Sequence, residues 1–187
     1  MLTITIPDVE SIEMWDERNE CFIETPYIEG QTIALEHSLV SLSKWESKWC
    51  KAFFSRKEKT HDEIIDYIKC MTLTENVRSE LYNNLSDENM KQIDEYINAK
   101  MTATVIPKTP GRGSGGETIT TELIYYWMIS LNIPLEECQK WHINRLLSLI
   151  GTCNFKNTPP KKMSKSELMR RNAALNAQRR QQLNTKG

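Results

Sequence analysis

Residues 36–49, EHSLVSLSKWESKW, constrain this chain more than any other stretch, because one hydrophobic period gives way to another there. Upstream, Leu2, Ile4 and Ile6 alternate with Thr3 and Thr5, and the β-prone run Gln31–Glu36 ends as the segment begins. Downstream, Leu39, Leu42, Trp45 and Trp49 are spaced 3, 3 and 4 apart. That spacing places all four on one face of a helix, which His37 or Ser38 can open. Ser41, Lys44, Ser47, Lys48 and Lys51 fall largely elsewhere. The segment predicts a binding or core-forming helix anchored by large aromatics, with strands before it and helices after it.

The period-two run at Leu2–Ile6 stops at Pro7. Two further β-prone runs, Cys21–Thr25 and Gln31–Glu36, flank the turn-rich Pro26 to Gly30. Residues 1–36 therefore predict a small sheet with a hairpin, which needs helices to cover it. Residues 37–105 predict a first helical group. It comprises Ser38–Phe54, a helix capped by Thr60 over HDEIIDYIKCM with Ile64, Ile65, Ile68 and Met71 on its apolar face, a short helix or turn at 74–85, and Ser86–Ala99. IPKTPGRGSGG, residues 106–116, predicts a flexible Gly/Pro-rich loop. Residues 117–155 predict a helical pair. Its first member starts at Glu117 and is apolar around most of its girth, so it belongs at a centre or under a partner. Its second restarts at Pro134 and runs to about Cys153. In the basic tail, residues 156–187, a linker precedes a capping box of Ser164 and Glu167, which opens a helix to about Leu183. Leu168, Leu175 and Leu183 give that helix only a thin apolar stripe, so it orders on a partner. The fold class expected is α+β, mainly α-helical: a small N-terminal sheet, a helical domain and a basic C-terminal helix, forming one domain plus a tail.

The formal net charge of −1 conceals a division. Residues 161–187 hold eight basic residues and one acid, a net of +7, and the other residues hold 16 basic and 24 acidic, a net of −8. An acidic body with a basic tail favours contact with an acidic surface, with nucleic acid, or of tail with body. The five cysteines are widely spaced, without a CxxC pair, and read as buried free thiols in a reducing compartment. MLTITIPDVE has no basic start and no long apolar core, so it reads as a strand and not as a leader. No apolar run approaches the roughly 20 residues of a membrane helix.

Candidate chemistry is thin. Cys138 and His142 stand four apart and would share a helix face, but no second pair completes a zinc site, so a buried thiol beside an imidazole is preferred. A cysteine nucleophile needs a base and an orienting group, and no local signature supplies them. Asp62, Glu63 and Asp66 sit at a helix start, where acids complement the dipole. GRGSGG lacks the GK[ST] of a phosphate-binding loop. No catalytic residue, cofactor or metal is expected. Trp45, Trp49, Tyr125, Tyr126, Trp127 and Trp141 serve as core or interface, with one or two expected to meet a partner helix. The candidate partner-binding residues are Trp45, Trp49, Tyr126, Trp127 and Trp141, with Arg170, Arg171, Arg179 and Arg180 of the tail. The tail has no stacking aromatics and few bulky apolar residues, which disfavours nucleic-acid readout and lipid insertion and favours docking on protein.

The blocks EHSLVSLSKWESKW, DYIKCMT, MTAT, ITTELIYYWM, LNIP, CQKWHINRLLSLI and PPKKMSK, with the closing LMRRNAALNAQRR, together resemble the small tail assembly chaperones of long-tailed bacteriophages. The resemblance runs from about Leu35 to Arg180. It implies a protein that coats the long, aggregation-prone tape measure protein in the host cytoplasm before the tail tube polymerises, and is displaced before the particle matures. It implies the tape measure protein as partner, with the tail tube protein as a second candidate, and self-association in several copies. It transfers no catalytic residue. A structural virion component, such as a connector or tail completion protein, and a nucleic-acid-binding regulator acting through residues 161–187 are the alternatives.

Overall fold

A computed structural model of the chain describes residues 1–105, 118–158 and 164–183. The elements are β1 (Leu2–Ile6), β2 (Ile12–Asp16), β3 (Cys21–Thr25), β4 (Gln31–Leu35), α1 (Leu39–Trp49), α2 (His61–Met71), a 3₁₀ turn at Ser79–Asn84, α3 (Asp87–Asn98), α4 (Thr121–Ser130), the single turn α5 (Leu135–Cys138), α6 (Ile143–Asn157) and α7 (Lys165–Leu183). The chain divides into two units, residues 1–153 and 154–187, with the boundary inside α6. The architecture is α+β and mainly helical, as the change of period at residue 36 predicts. The glycine-rich loop expected at 106–116, and Glu117 with it, lie outside the described residues.

Four strands form two separate antiparallel pairs. β1 pairs with β4, Ile4 opposite Ile33, and β2 pairs with β3, Trp15 opposite Phe22. The hairpin predicted around Pro26–Gly30 is therefore not formed by β3 and β4. Strand β2 was not anticipated and takes that partner, while β4 returns to β1. Gly30 shows why the return works there. A Cβ at this position would lie 2.4 Å from the Ile6 carbonyl oxygen, and the Gly30 N–H donates to Asp8 Oδ1 at 2.7 Å. Only a residue without a side chain lets the two strands close.

Ile4, Ile6, Ile33 and Leu35 point from the β1–β4 pair into a core shared with α1 to α6. After α2 the chain runs beside β4, with Glu36 N–H donating to the Met71 carbonyl and Leu73 N–H to that of Ala34. α1 packs on α2 and α4, and α3 packs on β1. Helix starts follow their caps: Ser38, Thr60 and Ser86 each accept from the third residue onward. Ser164 and Glu167 exchange the two hydrogen bonds expected of them at the head of α7.

Two helix predictions need correction. α1 ends at Trp49 and not at Phe54. Cys50 turns left-handed, with φ of 51°, its N–H closing on the Glu46 carbonyl, and the Phe53 N–H is taken by the Glu46 carboxylate. The helix expected from Pro134 to Cys153 is broken between Cys138 and Ile143. There the chain forms a β-bridge between His142 and Ser38, and Ile143 N–H donates to the His37 carbonyl at 2.8 Å. Capture of this link by the segment ahead of α1 outweighs continuation of the helix.

Candidate functional site

The seam between α1 and α2 holds the first group of predicted residues. Trp45 is fully buried, and its indole N–H donates to the Glu63 carbonyl at 2.8 Å. Its ring meets Phe53 edge to face at 5.3 Å. It is a core residue, which corrects its assignment to a partner surface. Trp49, one turn on, is partly buried and donates to Asp66 Oδ2 at 2.9 Å. Lys48 pairs with Asp66, and Lys51 with Glu63. The Lys51 ammonium, followed by the Thr60 N–H, holds the Glu63 carboxyl below its usual range. Burial works to raise Asp66, but the bonds from Lys48 and Trp49 outweigh it and the group titrates low. Asp62, Asp66, His61, Lys48, Lys69 and Trp49 border a depression of about 230 Å³. Of the two carboxylates that border it, Asp66 is committed to tying α1 to α2.

Glu46 performs the same task between α1 and α4. It is buried, and it accepts from Phe53 N–H at 2.7 Å, Thr121 N–H at 2.8 Å and Thr121 Oγ1–H at 2.7 Å. Sequence reading passed over it, since a single acid on a helix face otherwise dotted with lysines carries no signal of its partners 75 residues away.

A buried polar cluster lies where α3, the link before α6 and the segment before α1 converge. His37 and His142 meet with ring centroids 5.0 Å apart. His37 Nδ1 hydrogen-bonds the Tyr67 hydroxyl. His142 Nδ1 accepts from Asn144 N–H at 3.2 Å, so its proton sits on Nε2 and is donated to the Tyr96 carbonyl at 3.0 Å. Tyr96 in turn donates to Glu36 at 2.6 Å, and Glu36 pairs with the amino group of Met1 at 2.9 Å. Burial first, and the neighbouring His142 second, push His37 down to about 3, and burial also lowers His142. Both imidazoles are neutral structural groups at neutral pH. Cys138 ends α5, while His142 stands beyond the break with its ring committed to Tyr96, so the helix face that would pair them as ligands does not form. Among the described residues no group of three His, Cys, Asp or Glu side chains is placed to hold a metal. All five cysteines are free. Cys138 is buried, but Cys21 and Cys50 are exposed, which corrects the expectation of buried thiols throughout.

The remaining predicted residues separate by exposure. Trp127 is partly buried, and so is Trp141, with the Arg145 guanidinium 4.1 Å from the Trp141 ring centre. Tyr126 is 63% exposed. Ile129, three residues on and on the same side of α4, is 62% exposed, while Thr121, Ile124 and Met128 on the other side are buried. α4 is thus not central: one side faces the core and the other carries exposed apolar groups. Arg170, Arg171, Arg179 and Arg180 all lie on α7, which is exposed along its whole length. The β2–β3 hairpin was missed. Met14 and Ile23 are exposed on one of its faces, and Trp15 and Phe22 on the other.

Among the described residues no helix is long and apolar enough to cross a membrane. Comparison of the chain with protein-family models, with curated proteins and with solved structures gave no match.

Proposed function

We propose that this protein is a non-enzymatic assembly chaperone of a long-tailed bacteriophage, which keeps the tape measure protein soluble in the host cytoplasm until the tail tube forms around it. The observation that carries the reading is the bare side of α4. Tyr126 and Ile129 stand exposed on a helix whose other side is locked into the core. Tyr126 belongs to ITTELIYYWM, one of the blocks on which the family resemblance rests, and Ile129 directly follows that block. An amphipathic client helix needs such a surface: apolar, fixed in place by a rigid scaffold, and small enough that each copy binds weakly and lets go. A large aromatic with a polar tip, next to a branched aliphatic, suits contact with varied leucine-rich stripes.

Co-expression with the tape measure protein tests the reading. The wild-type chain should raise the soluble fraction of the client several-fold and co-purify with it. The double substitution Tyr126→Ser, Ile129→Ser should abolish both effects while leaving the melting temperature of the chaperone within a few degrees. A wild-type chain that neither solubilises nor binds the client would sink the proposal. So would its stoichiometric presence in purified particles, which would favour a structural component of the virion.

A further inference from the structure

The β2–β3 hairpin is a two-stranded ribbon whose apolar side chains are exposed on both faces. A ribbon of this size is marginal by itself, and an exposed apolar face rimmed by charge marks a contact surface. One of its faces says what covers it. Trp15 and Phe22, 52% and 68% exposed, lie opposite each other across the ladder with rings 5.0 Å apart. Side chains two positions along a strand share its face. The next pair on this face is Glu13 opposite Glu24. Two carboxylates directly opposed across a ladder destabilise it unless a cation comes between them. Among the described residues neither has an ion-pair partner. The surroundings are equally acidic: residues 8–29 contain eight acids and one base, Arg18, a net of −7.

The occupant must be basic, carry a narrow apolar stripe, and be about as long as a five-residue strand, roughly 17 Å. α7 has these properties. Leu168, Arg171, Leu175 and Arg179 are spaced 3, 4 and 4 apart and fall on one side of the helix. The two leucines are about 10.5 Å apart along the axis, and the two arginines about 12 Å. Residues 161–187 carry a net of +7, matching the charge of residues 8–29 with opposite sign. Guanidinium groups pair with carboxylates in bidentate fashion and also stack on indole rings, so arginine suits a face that offers both.

We propose that the Trp15–Phe22 face of one copy receives the C-terminal helix α7 of a second copy, leucines on the aromatic pair and arginines against Glu13 and Glu24. The contact joins different surfaces of the two copies, so it closes reciprocally into a pair or continues into a chain of copies. It does not rest on the chaperone reading, because it needs no client.

Sedimentation equilibrium of the full chain at low and high salt tests it through paired charge reversals. The wild type should exceed monomer mass at micromolar concentration and lose association at least tenfold between about 50 mM and 500 mM salt, as screening predicts. Trp15→Ser with Phe22→Ser should be monomeric. Glu13→Lys with Glu24→Lys, and separately Arg171→Glu with Arg179→Glu, should each be monomeric alone. An equimolar mixture of these two charge variants should regain at least the mass of a pair, since each then offers the other a complementary surface. A monomeric wild type, which includes the case of α7 lying on its own hairpin, overturns the proposal. So does self-association that survives both charge variants, or a mixture that fails to recover.

Discussion

Glu46 illustrates how much a single side chain can hold. Three donors, from Phe53 seven residues on and Thr121 75 residues on, converge on its carboxylate, and two of them are backbone N–H groups that no other partner is seen to take. Truncation would leave the Thr121 N–H buried and unpaired and the Phe53 N–H part-buried and unpaired, at about 1–3 kcal/mol for a fully buried group and less for the other. Glu46→Ala should therefore lower the unfolding free energy by roughly 3 kcal/mol, read from the urea midpoint at constant slope. Glu46→Gln should recover part of that loss, because one carbonyl oxygen remains to accept. The buried imidazoles give the fold a different signature. His37 titrates near 3 when folded and near its ordinary 6.5 when unfolded, so the unfolded chain binds the additional proton between those values. Stability is then full above about pH 6.5 and falls as pH drops, by at most about 1.4 kcal/mol per pH unit for this residue. The carboxylates with lowered values begin to contribute only near their own unfolded range, around pH 4. Chemical denaturation between pH 4.5 and 7 should show a slope that His37→Gln markedly flattens. An unchanged slope would mean that this imidazole is not the group being protonated.

At the scale of elements, legibility tracks how local the determining interaction is. α2 and α3 were readable to within a residue, because Thr60 and Ser86 cap them through contacts three residues long and their apolar faces repeat at helical spacing. The end of α1 was not, since it depends on a left-handed Cys50 and on a carboxylate capturing Phe53, neither of which leaves a periodic trace. The break before α6 was hidden for the same reason: Pro134 signals a start, but nothing nearby signals that His142 will bridge to Ser38. β2 escaped because Met14 and Trp15 are two apolar residues set among acids, and because such a ribbon shows no inside and outside. Among the candidate partner residues, the helical spacing put Trp45 and Trp49 on a common face, yet only the packing shows that Trp45 is sealed in. The strand crossing at Gly30 was equally non-local. Gly30→Ala would drive a methyl group into the backbone of residues 6–8. Thermal melts should show the variant less stable by about 2 kcal/mol or more, with Gly30→Ser no better, as expected where backbone cannot yield.

At the scale of the whole chain, charge is distributed by segment: acids at the hairpin and through the body, bases at the far end. Such a distribution keeps the net near zero while giving each end a strong field of its own, so encounters between copies or with a client become sensitive to ionic strength. The apolar groups left bare follow the same division of labour. Tyr126 and Ile129 sit on a helix anchored in the core, where position is fixed, whereas Trp15 and Phe22 sit on a projection joined to the sheet at its base. That base is well fastened. β1 and β4 pair along five residues, Val9 and Ile28 bridge, and the Asn84 amide donates to the carbonyls of Pro7 and Asp8 at 3.1 and 2.8 Å. Covalent continuity through the tip is consequently dispensable. Arg18 lies exposed in the turn between β2 and β3, so a brief digestion with trypsin that severs the bond after it should yield two fragments that elute together and melt close to the uncut protein. Residues 1–18, cut free of the rest, would stay in place non-covalently, β1 held by β4 and β2 by β3.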